Sequence, residues 1–439
     1  MTDATKLDVP YPPAKTAWYA VSVLLIAYTV SFIDRTILSL LVGPIQADLG
    51  IGDTEMGLLH GLAFALFYCF LGLPIAWLSD RFSRRWIIAI GMIIWSGMTA
   101  LCGLTKNFAQ LFLARMGVGV GEAALSPAAY SMLADLFPPN RLGRAMGVYS
   151  SGVFFGAGIA FMLGGLVISF VNDGNTLSLP LLGELRIWQF VFVIVGLPGI
   201  FLALLMFTFP EPVRRKKITG EGRELTQSAI KFLRENPKVC LGHFVGFAML
   251  AISFNGFVAW GPTQLIRDFG VDASEAGKAF GIAIFICGGS GIILGGVVAD
   301  RLAQKGYSDA TMRAGIIGGI GLLPMSIAAP LMPSFILSAI GYGAFFFFAS
   351  FPFGAAAAAL QLMTPPHLRA QLSAVYLLVL NLIGIGGGPL MIGAISDHVL
   401  GGPVEIGSAM ALTGLLTVPV GVLILIASLP AYRELQSKV

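Results

Sequence analysis

Twelve runs of about 18 or more mostly apolar residues leave this chain almost no choice of environment. Each is long enough to cross the roughly 30 Å hydrocarbon layer of a bilayer as a helix. They lie near 18–42, 55–79, 86–105, 108–137, 141–171 and 187–209, then near 239–266, 274–299, 311–331, 334–363, 367–396 and 405–429. Lipid offers no water to exposed backbone N–H and C=O groups, so each run is expected to be helical. Composition agrees: 56% of residues are hydrophobic and 11% charged, against about 25% charged in an ordinary soluble domain. The expected fold class is an all-α integral membrane protein of twelve transmembrane helices in two pseudo-symmetric six-helix bundles.

The one shift in composition falls between the sixth and seventh runs. It divides the chain into a tail (1–17), a first bundle (18–209), a linker (210–238), a second bundle (239–429) and a closing tail (430–439). The linker carries Arg214-Arg215-Lys216-Lys217 and a candidate amphipathic helix near Arg223–Glu235, with Leu225, Ile230, Phe232 and Leu233 as its apolar residues. A solvated helix resting on the membrane surface is the expectation, ahead of a partner-binding site. With the N-terminus inside, 21 of the 27 Lys and Arg residues fall on the cytoplasmic side. The bias of basic residues toward the cytoplasm predicts both termini there, in a multi-pass protein of the cell (inner) membrane. No signal peptide precedes the first run. The net charge of +4 adds little, and no nucleic-acid partner is expected.

The two halves echo each other. Asp80-Arg81 closes the second run and Asp300-Arg301 closes the eighth, a shift of 220 residues. Pro138-Pro139 followed by Val148-Tyr149 recurs as Pro365-Pro366 followed by Val375-Tyr376, a shift of 227. Parallel repeats of this kind are a transporter architecture, with the solute site between the halves near mid-membrane.

Charge inside such runs is expensive, roughly 2.5–3.5 kcal/mol per residue on insertion scales, and marks function by default. The fourth run carries Arg115 and Glu122, seven residues apart and therefore on nearly one helix side, about 10 Å apart along the axis. Gly117, Gly119 and Gly121 bare the backbone between them, so that a neighbouring helix or ligand can approach. The first run carries Asp34-Arg35. These four are expected to form one polar cluster. A permanent ion-pair cluster that fixes packing is the bland alternative. Buried pairs rarely repay their desolvation, however, and burial brings a carboxylate toward the range where protons exchange. Asp34 and Glu122 are expected to accept protons, with Arg35 and Arg115 as gate or anionic head-group partners.

His60 and His243 read first as packed or interfacial residues, ahead of proton relays. Asn255, Gln361 and Asn381 are isolated amides that could bridge helices or touch solute. Phe345–Phe348, Phe351 and Phe353 in the tenth run, with Phe254, Phe257 and Trp260 in the seventh, give unusual aromatic density. The candidate solute cavity is assigned to His60, Phe254, Asn255, Trp260, Phe347, Phe351 and Asn381. Basic groups in one half and apolar walls in the other suit an amphiphile with an anionic or zwitterionic head. Glycines 384, 386, 387 and 388 in the eleventh run and 152, 156 and 158 in the fifth are expected to permit close packing and bending. Cys69, Cys102, Cys240 and Cys287 form no CxxC pair. No metal-ligand spacing, Walker sequence or serine elbow is present, and the glycines of the fourth run follow no strand. No enzyme activity, cofactor or metal is expected.

These features resemble the major facilitator superfamily over the whole chain. That family's loop between the second and third spans reads roughly G-x-x-x-D-R-x-G-R-[RK]. Here it is Ala76-Trp-Leu-Ser-Asp80-Arg81-Phe-Ser83-Arg84-Arg85, with Ala and Ser at the glycine positions, and the second copy begins Gly296-Val-Val-Ala-Asp300-Arg301. The resemblance implies a cytoplasmic latch of Asp80, Arg81, Arg84, Arg85, Arg144, Asp300 and Arg301, with Asp80 capping a helix and pairing with bases such as Arg144. Plain topology signals are the other reading of each of these charges. Within the superfamily the chain resembles the Spinster group: Phe32-Ile-Asp34-Arg35, Arg115 with Glu122 and Ser126-Pro127, and Phe137-Pro-Pro-x-Arg141-x-x-x-Ala-x-Gly-x-Tyr149 carry the likeness. It implies rocker-switch alternating access, proton coupling and a lysophospholipid- or sphingolipid-like solute carried by a monomer, and, since spans 1 and 4 of the superfamily line one cavity, a network of Asp34/Arg115 and Arg35/Glu122. A multidrug or organic-anion exporter, a lipid scramblase without alternation, and a receptor on a transporter fold stand as rivals.

Overall fold

The computed structural model describes residues 10–171, 176–179, 183–214, 222–365, 368–402 and 405–437. Among them, twelve helical spans are long and apolar enough to cross a membrane. Spans 1 to 6 are Ala14–Leu40, Asp53–Gly72, Arg84–Cys102, Phe108–Leu136, Arg144–Gly165 and Ile187–Phe207. Spans 7 to 12 are Pro237–Phe269, Ala273–Gln304, Ala310–Leu331, Phe335–Met363, Gln371–His398 and Ile406–Gln436. The protein is thus an all-α membrane protein, and with twelve crossings span 1 begins and span 12 ends on one side, the termini side. A helix of 14 residues, Gly222–Glu235, lies between spans 6 and 7. Its Phe232 is buried while Ile230 is 44% exposed; the Leu225 side chain and the basic run Arg215–Lys217 lie outside what the structure describes. Between spans 5 and 6 a short antiparallel hairpin pairs Thr176–Leu179 with Gly183–Arg186, an element that hydropathy does not reveal.

The chain forms two compact units. The first contains Met1–Ile37, Leu66–Ala160 and Asn172–Glu221; the second contains Leu38–Ala65, Phe161–Val171 and Gly222–Val439. The division runs through spans 1, 2 and 5, whose ends on the far side belong to the second unit. In the first unit, spans 3 and 4 meet backbone to backbone. A methyl group on Gly121 would stand 2.5 Å from the Trp95 amide nitrogen and 2.8 Å from the Gly91 carbonyl. Glycine is what allows that approach. Span 4 then breaks, as helix Phe108–Glu122 gives way to helix Leu125–Leu136. Pro127 has no N–H to offer the Ala123 carbonyl one turn back, so the break falls directly after Glu122.

In the second unit, Phe257 stacks on Phe345 at 4.2 Å, and Phe280 meets Tyr342 and Phe346 edge-on at 5.1 and 5.2 Å. Span 11 opens into a wide π-type turn at Leu382–Gly386. Pro389 cannot bond the Ile385 carbonyl, and wide turns of this kind are common at functional sites. Its glycines pack tightly: a methyl on Gly388 would lie 2.5 Å from the Ile252 carbonyl of span 7. Gly50 and Gly270, at φ of 64° and 66°, end helices where any side chain would be strained.

Candidate functional site

In the first unit, span 1 and span 4 bring the four predicted charges together. Ser31 and Arg35 stand one turn apart and aim at the same oxygen. The Ser31 hydroxyl donates to Glu122 Oε2 at 2.8 Å, and Arg35 Nη2 donates to it at 2.5 Å. The Arg35 guanidinium also lies 4.7 Å from the Phe32 ring centre and 5.4 Å from that of Tyr68, a setting in which a partly desolvated cation gains further stabilisation. Glu122 is 2% exposed, and Asp34 and Arg115 are fully buried.

The other expected pair takes a different form. Arg115 Nη1 donates to the backbone carbonyl of Asp34 at 3.3 Å, not to its carboxylate. The expected Asp34/Arg115 carboxylate pair is therefore corrected to a backbone contact. Both Asp34 carboxylate oxygens, and Arg115 Nε and Nη2, close no hydrogen bond. The Asp34 carboxylate turns instead toward Trp95 and Thr99 of span 3, which sequence reading passed over because neither is charged. The physical reason is local. Asp34 and Arg35 are adjacent in a helix and so point about 100° apart. Arg35 lies about 40° from Ser31 around the helix and meets Glu122 with it, whereas Asp34 lies about 60° to the other side of Ser31, toward span 3.

In the second unit a second polar cluster, absent from the sequence reading, lies at the far side. Arg267, at the end of span 7, grips Asp53 with two parallel bonds, Nη1 to Oδ2 at 3.0 Å and Nη2 to Oδ1 at 2.8 Å. Gln46 and the Ser396 hydroxyl donate to the same carboxylate at 2.8 and 2.7 Å. Asp397 caps the helix that opens span 2, accepting from the Thr54 amide at 2.6 Å and from its hydroxyl at 2.7 Å. The cluster thus ties the far-side ends of spans 1 and 2 to spans 7 and 11. No motif or spacing in the sequence singles out Arg267 or Asp53. Fork-to-fork geometry of this kind is the strong form of an ion pair.

At the termini side of the first unit, Arg84 is fully buried. It donates to Asp135 at 2.5 Å, to Ser131 at 3.1 Å and to the Pro212 carbonyl at 2.7 Å. Glu211 accepts from the Arg84 amide at 2.9 Å and from the Ser83 hydroxyl, and lies 3.8 Å from Arg85. Partial burial pushes the Glu211 carboxyl up, but the Ser83 bond, the Arg84 amide and the Arg84 charge outweigh it and hold the group below the usual carboxylate range. Arg81 stacks 3.8 Å from Trp77, and Arg144 lies 5.7 Å from the Trp18 ring. The Asp80 side chain lies outside the described residues. Asp135 and Glu211 are the acids that spacing alone did not single out. In the second unit Asp300 and Arg301 are exposed, whereas Asp309 is buried and accepts from Arg313 and Arg433, each at 2.7 Å.

The residues assigned to a cavity all lie in the second unit. Trp260 is fully buried and donates to the Pro389 carbonyl at 2.9 Å, with His60 tilted 6.1 Å away. Asn255 donates to its own helix at Ala251. Phe254 meets Phe353 at 4.9 Å, and Phe347 meets Phe351 at 5.3 Å. Asn381 is half-buried just before the wide turn of span 11. The structure therefore groups these side chains by packing, with His60 and Trp260 adjacent and Phe347 and Phe351 in a separate aromatic cluster.

The sequence model of the Major Facilitator Superfamily matches residues 24–389. The chain belongs to that superfamily. It is a multi-pass membrane transporter by family and fold. A crystal structure described as a bacterial homolog of the human lysosomal transporter Spinster, inward-facing and unoccupied, superposes with a TM-score of 0.78 at 28% identity, over 97% of this chain and 98% of that one. The chain is 27% identical over 387 residues to an MFS-type efflux pump of Mycolicibacterium smegmatis, covering 88% of this chain and 86% of that protein. It is 25% identical to protein spinster of Drosophila melanogaster over 88% of its own length, spanning 63% of the longer fly protein. A probable L-galactonate transporter of Escherichia coli is also 25% identical, over 71% of this chain and 70% of that one.

Proposed function

We propose that this major facilitator protein is a proton-coupled, alternating-access carrier of a lysophospholipid- or sphingolipid-like amphiphile, a monomer of the cell (inner) membrane with both termini in the cytoplasm. The observation that carries the reading is the unequal treatment of two buried carboxylates in one cluster. Glu122 is met by a charged and a neutral donor on one oxygen, while Asp34 closes no bond. An ionised carboxylate wants donors and a neutral acid tolerates their absence. The arrangement suits a state with Glu122 charged against Arg35 and one proton on Asp34. Moving that proton to Glu122 would release Arg35, and an anionic head group could then take the vacated guanidinium fork. Proton and solute occupancy would be linked through one arginine.

The far-side clasp of Asp53 and Arg267 is read as the element that must open when the carrier faces the other way. The likeness to Spinster proteins supports the lipid solute, and the aromatic second unit suits an acyl or sphingoid chain. Flux of labelled lysophospholipids in proteoliposomes with an imposed pH gradient tests the reading. Gradient-driven flux is expected in the natural protein and is expected to be lost in Glu122→Gln and Asp34→Asn. Flux indifferent to the gradient, with both variants active, would sink it. A second reading, export of organic anions, rests on the similarity to the mycobacterial efflux pump; competition of the lysolipid flux by small organic anions would favour it.

A further inference from the structure

We infer that Trp95 and Thr99 of span 3 form a two-donor cradle that receives the Asp34 carboxylate when it is ionised, and so are positioning residues for proton release. The inference rests on the proton-coupled reading above. Trp95 and Thr99 lie one helical turn apart, so their side chains share a face of span 3. Both are fully buried, and Trp95 Nε1 and Thr99 Oγ1 close no hydrogen bond. Both nevertheless face the Asp34 carboxylate, whose two oxygens are also unbonded. Buried donors are normally satisfied, and each one left over asks for an explanation. Here two unsatisfied donors on one helix face two unsatisfied acceptors on another. Donor and acceptor counts match one to one. Turning the Asp34 carboxylate onto that pair would satisfy donors and acceptors together.

The other groups around Asp34 leave that role open. On span 4, Arg115 spends its one bond on the Asp34 backbone carbonyl, and Glu122 is engaged by Ser31 and Arg35. On span 1, Arg35 points to Glu122, and Cys102 of span 3 contributes a buried thiol. Trp95 is also the residue against whose amide Gly121 packs. Movement of span 4 near Glu122 would therefore press on the residue whose indole faces Asp34. A change in Glu122 occupancy would move the cradle, and the cradle would set which of the two carboxylates holds the proton.

The test uses the full-length protein and the infrared carbonyl band of protonated Asp34, assigned by its loss in Asp34→Asn, alongside the pH profile of lysophospholipid flux. Thr99→Val removes one donor at nearly constant shape, Thr99→Ser keeps it, and Trp95→Phe removes the other. Thr99→Val and Trp95→Phe are each expected to displace the titration midpoint of the band by about 0.7 pH unit, the equivalent of one hydrogen bond. Thr99→Ser is expected to return it to the natural value, which a loss of packing would not do. A band that titrates identically in all four proteins overturns the cradle and leaves proton coupling standing. A displaced band with flux indifferent to the pH gradient supports the cradle and sinks the coupled reading instead. No titrating Asp34 band in any protein overturns both.

Discussion

Replacing Arg267 by Gln is the perturbation that bears most directly on alternation. Arg267 supplies two of the bonds to a carboxylate that is 1% exposed. Removing one partner of a buried ion pair costs about 3–5 kcal/mol, because the remaining charge is left uncompensated. Asp53 would keep its bonds from Gln46 and Ser396, and the Arg267 side chain is itself 18% exposed. The lower end, about 3 kcal/mol, is therefore expected. That loss falls on the clasped state, so the ratio of opened to clasped protein should rise by about two orders of magnitude. Ser39 reports on it. Its side chain is 2% exposed, and its carbonyl accepts from Thr263 of span 7 at 3.3 Å. With the native cysteines replaced, Ser39→Cys should react with a membrane-impermeant maleimide on the order of 100-fold faster in the Arg267→Gln background. Adding Asp53→Asn removes the stranded charge and should recover part of the protection. Labelling within threefold of the background rate, in a protein of unchanged melting temperature, would refute the reasoning.

Three further outcomes follow from the same structure. Glu211 has its carboxyl held below the ordinary range, so its stabilising contribution is present above the unfolded value of about 4.3 and lost as pH falls through the folded value. Glu211→Gln should lower the melting temperature in detergent at neutral pH, with the gap closing on acidification below about pH 4; a gap independent of pH would count against it. Gly121→Val places side-chain carbons where the Trp95 amide already stands 2.5 Å from a single methyl, and should destabilise the protein by about 1–3 kcal/mol in thermal unfolding. Asp309→Asn weakens the join between Arg313 and Arg433, so the end of span 12 should become more susceptible to proteolysis, whereas flux should change little.

Much of the molecule is legible without coordinates. Span number follows from run length, since lipid forbids any other use for twenty apolar residues. The quartet of charges was legible for the same reason: an intramembrane Asp, Glu or Arg is too costly to be casual. Helical period puts Ser31 and Arg35 on one face of span 1, but that Glu122 of span 4 meets that face is decided by packing. The Arg84 network was half legible. Its arginine belongs to a motif, but its acids Asp135 and Glu211 come from the ends of other spans, 51 and 127 residues away.

What the sequence determined alone is whatever one helix and the bilayer decide between them: class, span count, periodicity, and the existence of a buried charge cluster. What only the tertiary structure decided is which partner each buried group finds. Nothing in the order of residues says that Arg267 closes on Asp53 across 214 positions, or that neutral Trp95 and Thr99 are the groups that face Asp34. A charge announces its own cost, but its partner is whichever side chain the packing of glycine-lined helices brings within 3 Å. That distance is set by contacts summed over the whole unit rather than by any local rule.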